Sequence, residues 1–338
     1  MKPSASREFI ATATIADQEQ VGASAALLTA ARGGDAAAFE RLVEPLREEL
    51  RAHCYRMLGS MHDAEDALQE SLVRAWRGIT RLDERGFVRA WLYKIATNRC
   101  LTAIERRGRR ELPFEVLPGT PTTEIEWLEP YPEPSPETRY LARESVELAY
   151  VAALQHLTGN QRAVLILRDV LGYSADEVAE QLATSTASVN SALQRARKAI
   201  GAAAPSQHDA LRELGDDAIA VLVSRWTDAW QRRDVDAIVT LLTDDARYSM
   251  PPLPEWFAGP EDIRAFLLNG PLRSRWRLLP TSANGQLAFG TYLWDDAAGH
   301  YLPGGLDVLT IDGDRVREVT SFLTADLTAF GLPARVDG

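Results

Sequence analysis

Amide, hydroxyl and guanidinium side chains are concentrated in the short segment 186–197. Helical spacing turns Val189 and Leu193 inward and leaves the polar side chains on the opposite face. Amides and guanidinium groups on such a face can pair with base edges in the major groove of DNA, and later cations can meet phosphates. We therefore predict a DNA-reading helix whose contact residues are Thr186, Ser188, Asn190, Ser191, Gln194, Arg195 and Arg197.

The residues before this helix have the pattern of a helix-turn-helix. Ser174 followed by Glu177 forms a capping box that begins a helix. Ala179 is small where two helices must cross, and Leu182 anchors a turn over residues 183–186. The alternative is a small helical bundle with a basic surface helix.

A second polar pattern lies in a predicted helix from Phe87 to Arg107. The amide of Asn98 is suited to a base edge, with cations beside it for phosphates. Aromatic residues at the helix start, Phe87, Trp91 and Tyr93, can hold an unstacked base. The alternative places the aromatic rings in the core and the arginines on a solvated face. The predicted DNA contacts are Arg85, Arg89, Lys94, Asn98, Arg99, Arg106 and Arg107.

A stripe of polar side chains marks the predicted helix 63–76. Asp66, Gln69 and Glu70 recur at positions i, i+3 and i+4 and therefore share one helix face. A stripe of carboxylate and amide groups can dock a basic partner helix. Ordinary solvated helix surface explains the spacing equally well.

The charge distribution separates basic from acidic stretches. The net charge is -11, yet residues 85–110 hold eight Lys or Arg against the single acid Glu105. Residues 111–139 hold seven Glu against one Arg. An acidic chain with such confined cationic patches should bind DNA weakly by itself. We therefore expect a larger complex to present the DNA to it.

The 338 residues are enough for two or three domains. No apolar run is long enough to span a bilayer and the N-terminus lacks a signal-peptide core, so we expect a soluble cytoplasmic protein without membrane contact. Cys54 and Cys100 fall in helical patterns and are expected as buried thiols, with no metal and no cofactor. The predicted order is a flexible tail 1–24, a helical domain 25–110, a linker 111–139, a helical domain 140–204 and a C-terminal domain 211–335.

The linker is rich in proline and lacks a helical period. Its 29 residues hold seven prolines and span at most about 95–100 Å when fully extended. A flexible coil of that length averages only about 30 Å. Two DNA elements roughly 20 base pairs apart are separated by about 70 Å. The linker can span them only if a partner holds it stretched.

Residues from about Phe39 to Ile200 resemble the short extracytoplasmic-function (ECF) class of sigma-70-type RNA polymerase sigma factors. Three stretches in order carry the resemblance: HCYRMLGSMHDAEDALQESLVRAWRGI, RAWLYKIATNRCLTAIERR and LTGNQRAVLILRDVLGYSADEVAEQLATSTASVNSALQRARKA. The resemblance implies a subunit that binds core polymerase, recognises −10 and −35 promoter elements and initiates transcription. Many family members carry Arg where this chain has Asn190 or Ala192, so their −35 sequence is not transferred.

The resemblance also implies roles for the polar clusters. Asp66, Gln69 and Glu70 fall where the family grips the coiled coil of the polymerase beta-prime subunit, and the beta flap is a further expected contact. Asn98 falls where the family captures a flipped −10 base, beside the loop 82–88. The segment 188–195 falls on the −35 reading helix. The resemblance identifies no separate anti-sigma partner.

The C-terminal segment has its own pattern. Two amphipathic helices, the second ending near Asp244-Asp245, are followed by a strand that begins at Tyr248, a third helix from Gly259 to Leu268 and predicted strands at 275–282, 286–294, 305–311 and 315–323. The last two strands are joined at Asp312-Gly313. This order, with the linker residues Trp127 to Tyr131, resembles ECF factors that bear a SnoaL-like domain, an α+β cone of the ketosteroid-isomerase type. The cone implies a pocket, with Tyr248, Trp256, His300 and Asp307 as candidate lining residues.

The expected fold is two all-α domains, the second with the helix-turn-helix, plus this cone. Spacing assigns no acid–base pair in the cone, so we expect a fused regulatory domain and not an enzyme. It would fold back on the helical domains or contact polymerase, and it could sense a small molecule. Two alternatives stay open: a stand-alone repressor or activator with a ligand domain, and an enzyme fused to a DNA-targeting segment. The first requires tight operator binding without polymerase, and the second requires turnover by residues 206–338.

Overall fold

A computed structural model describes residues 25–82, 88–106, 110–115, 125–132, 146–201 and 206–338. The predicted tail, most of the predicted linker and the predicted DNA contacts Arg85 and Arg107 lie outside these ranges, as does Phe87.

The first module (residues 25–115) is helical because apolar positions recur at helical spacing between clear end signals. Asp35 caps the second helix by accepting from the amide of Ala38, and Pro45 lies in the 3₁₀ turn that follows its last residue. Gly59 adopts a left-handed conformation (φ 68°) that ends the third helix, and Ser60 caps the fourth. The helices are α1 (25–32), α2 (Ala36–Val43), α3 (Arg47–Leu58), α4 (Met61–Gly78) and α5 (Val88–Arg106), with 3₁₀ turns at Glu44–Leu46, Ile79–Arg81 and Pro113–Glu115.

The core of this module lies between α3, α4 and α5. Leu92, Ala96 and Cys100 of α5 are buried in it, and both cysteines are free thiols. Tyr93 is buried as well, with its ring 5.1 Å from that of His53. The interpretation of Tyr93 as a surface for an unstacked base is therefore wrong, because its neighbours on the inward face of α5 place it in the core.

Residues described in the linker fold back onto the helical modules. Strand β1 (Arg110–Glu111) pairs in parallel with β2 (Glu126–Trp127), a pairing that was not predicted from the sequence. Leu128 and Tyr131 are buried in the same apolar core as α3. The described linker residues are therefore packed against the helical modules and not held apart from them.

The second module (residues 146–201) contains the expected helix-turn-helix. The Ser174–Glu177 capping box is confirmed, and a second box joins Thr158 to Gln161. Ala183 has a positive φ of 50° in the turn. The helices are α6 (Leu148–Gln155), α7 (Gly159–Leu165, continued by a π-helical turn Ile166–Val170), α8 (Ala175–Gln181) and α9 (Thr186–Ile200).

The C-terminal domain is an α+β cone with a six-stranded mixed sheet of order β4-β3-β8-β7-β6-β5. Trp226 and Trp230 lie on the inward face of α11, in the core between that helix and the sheet. The elements are α10 (Gln207–Leu214), α11 (Asp216–Arg232), α12 (Val235–Thr240), β3 (Leu242–Ser249), β4 (Trp256–Ala258), α13 (Gly259–Asn269), β5 (Trp276–Ala283), β6 (Gln286–Asp295), β7 (His300–Asp312) and β8 (Arg315–Phe322), with 3₁₀ turns at Pro271–Arg273 and Leu327–Phe330.

Two local expectations for this domain are wrong. Asp312 pairs with Arg315, so Gly313 and Asp314 are the central turn residues and the expected turn was one residue early. Tyr248 lies near the end of β3, because the strand already begins at Leu242.

The three parts share a continuous apolar core. It includes side chains of both helical modules together with Ala283, Ala288 and Tyr292 of the sheet. Among the described residues, no helix is both long enough and apolar enough to cross a bilayer.

Candidate nucleic-acid interface and domain seam

The DNA-reading face predicted for α9 is open to solvent. Val189, Leu193 and Ala196 are buried, which leaves the opposite side of the helix free. Thr186 is the exception, because it is half-buried and its hydroxyl donates a 2.7 Å hydrogen bond to Asp176. The exposed predicted contacts are Ser188, Asn190, Ser191, Gln194, Arg195 and Arg197.

Arg197 already has a partner within the second module. Its guanidinium donates two hydrogen bonds, of 2.7 and 2.9 Å, to the carboxylate of Asp169. This hydrogen-bonded partner raises the pKa of Arg197. The ion pair holds the last predicted cation of the reading face in one orientation.

The predicted −10 residues on α5 are in several environments. Asn98 and Arg106 are exposed. Arg89 donates to Glu49 at 2.9 Å, and its guanidinium lies 5.0 Å from the ring centroid of Tyr93. Lys94 is half-buried, and its ammonium group lies 3.4 Å from the backbone carbonyl of Glu180 in α8. The second module thus lies directly against this face.

The stripe predicted to dock a partner is exposed on α4. Asp66 lies 3.7 Å from the imidazole of His62, and the amide of Gln69 donates to Glu65 at 2.8 Å. Glu70 forms a close ion pair with Arg99 of α5. That pair joins the predicted docking stripe to the predicted −10 face.

Arg162 holds the two helical modules together. It is only 3% exposed, and its guanidinium donates to the backbone carbonyl of Met57 in α3. It also donates to the side chain of Gln155 at 2.7 Å and to the carbonyls of Gln155 and Leu157. Burial lowers the pKa of Arg162 to about 10, and the four acceptors compensate for its lost hydration.

Asn284, in the turn between β5 and β6, contacts three other parts of the chain. Its side-chain amide donates to the hydroxyl of Tyr55 in α3 at 2.8 Å and to the carbonyl of Val146 at 2.7 Å. Its side-chain oxygen accepts from the amide of Tyr131 in the linker at 2.8 Å. Its backbone amide donates to the carbonyl of Tyr131, also at 2.8 Å. One residue therefore joins the first module, the linker and the start of the second module.

Asn284 was not among the functional residues predicted from the sequence. The only local signal is the Asn-Gly pair at 284–285, which favours a turn with positive φ and was not identified between the two predicted strands. Asn284 has a φ of 56°, and this conformation aims its side chain out of the sheet.

Further hydrogen bonds reinforce the seam between the second module and the cone. Gln286 accepts from the amide of Leu148 at 2.9 Å. Glu147 accepts from the hydroxyl of Ser206 at 2.8 Å and from the amide of His208 at 3.1 Å. The first residues of the second module are thus bonded to β6 and to the start of α10.

Of the four predicted pocket residues, the structure brings Tyr248 and Asp307 together. Ser321 donates to the Asp307 carboxyl group and lies 3.4 Å from the Tyr248 hydroxyl. Asp307 is 1% exposed, and burial raises its pKa to about 7. Its Oδ2 atom has no hydrogen-bond partner among the described residues.

Trp256 and His300 lie elsewhere. Trp256 is 42% exposed on the edge strand β4. His300 is the first residue of β7, seven positions before Asp307, and its Nδ1 atom lies 2.9 Å from the carbonyl of Ala298. The four residues do not line one pocket. Among the described residues, no group of three or more His, Cys, Asp or Glu could hold a metal ion.

Family models match the three parts of the chain. Residues 42–110 match sigma-70 region 2, residues 147–200 match sigma-70 region 4, and residues 223–319 match a SnoaL-like domain. The helix-turn-helix lies within the second match and the cone contains the third. The chain therefore combines two sigma-70 regions with a SnoaL-like domain.

The ECF RNA polymerase sigma factor SigG of Mycobacterium tuberculosis is 43% identical, over 89% of this chain and 85% of SigG. SigE of Mycolicibacterium smegmatis, also an ECF factor, is 33% identical over 49% of this chain and 62% of its own. The crystal structure of the M. tuberculosis ECF factor SigJ covers 86% of this chain and 98% of SigJ, with a TM-score of 0.58 and 23% identity, and it shows a common fold. The chain belongs to the ECF class of RNA polymerase sigma factors.

Membership of this family gives the general function. The protein is a transcription initiation factor that acts with core RNA polymerase on promoter DNA, and it is not an enzyme. The sigma-factor interpretation is confirmed. It replaces the two alternatives, a stand-alone regulator and an enzyme fused to a DNA-targeting segment.

Proposed function

We propose that the described structure is a closed, inactive state of the sigma factor, and that the SnoaL-like domain holds it closed. Polymerase and promoter DNA would bind the chain with its two helical modules apart. The observation that carries this proposal is Asn284, whose hydrogen bonds join both modules and the linker to the cone.

The proposal rests first on distance. A promoter places the two modules about 70 Å apart if its elements are roughly 20 base pairs apart. In this structure Arg162 of the second module donates to Met57 of the first, and Lys94 lies against Glu180. Modules in direct contact cannot reach both elements, so activity requires these contacts to break.

The docking stripe would bind polymerase first. Asp66 and Glu70 keep side-chain exposures of 65% and 55% in the closed state, so a basic partner helix can approach them. In this proposal Asp66, Gln69 and Glu70 meet the coiled coil of the beta-prime subunit, and the second module meets the beta flap.

The two polar faces would then bind promoter DNA. Asn98 would hold an unstacked −10 base, with Arg85, Arg89, Lys94, Arg99, Arg106 and Arg107 near phosphates. Unstacking costs a few kcal/mol, which one pocket and several phosphate contacts can offset once polymerase holds the duplex. The −35 contacts would be Thr186, Ser188, Asn190, Ser191, Gln194, Arg195 and Arg197.

Run-off transcription with purified core polymerase tests the role of the cone. The whole chain is compared with residues 1–205 at equal concentration. We expect the shortened chain to give more transcript, because it has lost the contacts that hold the closed state. Equal output from both chains, in vitro and in cells, would contradict the proposed regulation and leave the sigma-factor function intact.

A further inference from the structure

A cavity of about 530 Å³ lies where the linker, the first module and the cone meet. The linker contributes the stretch from Ile125 to Pro130, and the first module contributes Met61 and Arg110. The cone contributes Phe322 and Phe330 on the other side. The volume lies in the range of about 300–1,000 Å³ that is usual for small-molecule sites.

Much of the cavity wall is apolar. Trp127, Pro130 and Pro132 come from the linker, and Phe322 and Phe330 face them from the cone. Apolar and aromatic walls of this kind bind the hydrophobic body of a ligand, and a few polar groups then select its charge.

The polar groups on the wall leave an excess of negative charge. Arg110 lines the cavity, but its guanidinium already donates to Asp63 at 2.6 Å and to the carbonyl of Trp127 at 2.7 Å. Two lining carboxylates, Glu126 and Glu129, lie 3.5 and 3.8 Å from the same guanidinium. A third lining carboxylate, Asp326, has its pKa lowered by hydrogen bonds from Thr328 and so carries a charge.

We propose that this cavity binds a small molecule with a protonated amine on an apolar body. The amine would lie near Glu126 and Asp326, and the body would lie between Trp127 and Phe330. A basic peptide segment fits less well, because the cavity has the volume of a small molecule and is enclosed from three parts of the chain.

The site would also act on the closed state, a point that rests on the proposed function. Its walls come from the linker and the cone, which separate when the chain opens. A ligand that binds one of two conformations shifts the population towards it. The amine should therefore lower transcription by the whole chain.

Calorimetry on the whole chain tests the site with three probes of one skeleton: 4-phenylbutylamine, 4-phenylbutan-1-ol and 4-phenylbutyrate. We expect the amine to bind at least roughly fivefold more tightly than the alcohol, and the acid to bind most weakly. Equal affinities for the three probes, or no heat from the amine at millimolar concentration, would overturn the proposal.

Two exposed variants separate charge from shape. Glu126→Gln should lower the affinity for the amine by about three- to fivefold and leave the affinity for the alcohol unchanged. Ala329→Leu, which adds volume at the cavity wall, should lower the affinity for both the amine and the alcohol. Glu213→Gln, at an exposed position of α10, is the matched control and should change neither. An amine affinity that is the same in all three variants would contradict the assignment.

A run-off assay with the amine adds the functional result. Saturating amine should reduce transcript from the whole chain, and Ala329→Leu should restore it; no reduction would overturn the link to the closed state. If truncation at residue 205 had no effect, the regulatory proposal would fail, while binding by calorimetry, which needs no polymerase, would still test the site.

Discussion

The side-chain amide of Asn284 donates a 2.8 Å hydrogen bond to the hydroxyl of Tyr55, a residue 229 positions earlier in the chain. The hydroxyl of Tyr55 in turn donates a 2.8 Å hydrogen bond to the carbonyl of Glu129. Glu129 in turn accepts from the backbone amide of Met61, at the start of the helix that carries the docking stripe. A turn in the cone is thus linked through three hydrogen bonds to the predicted polymerase-binding helix.

Asn284→Ala should weaken the closed state. Each buried partner left without its hydrogen bond costs about 1–3 kcal/mol, which shifts the balance between closed and open forms by roughly tenfold or more. We expect several-fold more run-off transcript from the whole chain with core polymerase. Tyr55→Phe should raise output for the same reason, and the two changes together should be less than additive.

Asn269→Ala is the matched control for that experiment. Asn269 is exposed at the end of α13, and its side-chain amide donates a local hydrogen bond to the carbonyl of Ala265. Its output should equal that of the unaltered chain. An Asn284→Ala chain that behaves like this control would refute the role given to the turn.

Asn98→Ala should impair promoter opening without affecting polymerase binding. Asn98 is exposed on α5, and its side chain is the one predicted to hold an unstacked base. Permanganate reactivity of promoter thymines should fall by about tenfold, while co-elution with core polymerase stays the same. Glu105→Gln, exposed on the same helix, should change neither. Normal opening by the Asn98 variant would remove that residue from the −10 site.

Asp66→Ala should weaken association with core polymerase. The carboxylate is exposed and, within the described part of the chain, its close charged neighbour is His62, so its loss should not disturb the fold. Losing a charged contact at a rim typically changes association by severalfold. Fluorescence anisotropy of the labelled chain against core polymerase measures the effect, with Asp228→Ala on the exposed face of α11 as control. Identical titrations for the two variants would argue against the stripe.

Asp307→Asn should alter the pH dependence of stability. The folded pKa of Asp307, about 7, lies above its ordinary value near 3.8 because the group is buried. The folded protein therefore retains a proton that the unfolded chain loses, and this contribution declines as pH rises from about 4 to 7. The variant lacks the titrating group.

The measurement is the difference in melting temperature between the unaltered chain and Asp307→Asn across that pH range. His53, whose pKa burial lowers to about 3, destabilises both chains equally as pH falls and so cancels in the difference. We expect the melting temperature of the unaltered chain to fall relative to that of Asp307→Asn as pH rises to about 7. Above that pH the difference should stay constant. A difference independent of pH would show that Asp307 is already ionised in the fold.

Local signals in the sequence predicted the elements that depend only on near neighbours. The capping box at Ser174 and the burial of Val189 and Leu193 involve residues a few positions apart, and both are as expected. The polar pair Asp244-Asp245 misled the prediction of β3, because acidic residues disfavour strands. In the fold those carboxylates are exposed and face Arg315 and Arg317 of the neighbouring strand.

The seam could not be predicted in this way. Asn284 and Tyr55 are ordinary residues in their own surroundings, and their contact depends on how three parts of the chain assemble. The same holds for Arg162. In the sequence, an arginine in a helix is expected on a solvated face, and its burial depends on the tertiary contact with Met57. The polar faces could be predicted from the sequence, because polar residues recur there at helical spacing.

The burial of Arg162 against Met57 bears on whether the two helical modules stay together when the chain is cut. The two modules adhere through their own surfaces as well as through the peptide chain between them. A protease cut within residues 116–124 should therefore leave both pieces in one complex that elutes at the size of the uncut protein. If the closed-state proposal holds, such a cut alone should not increase transcript in the run-off assay.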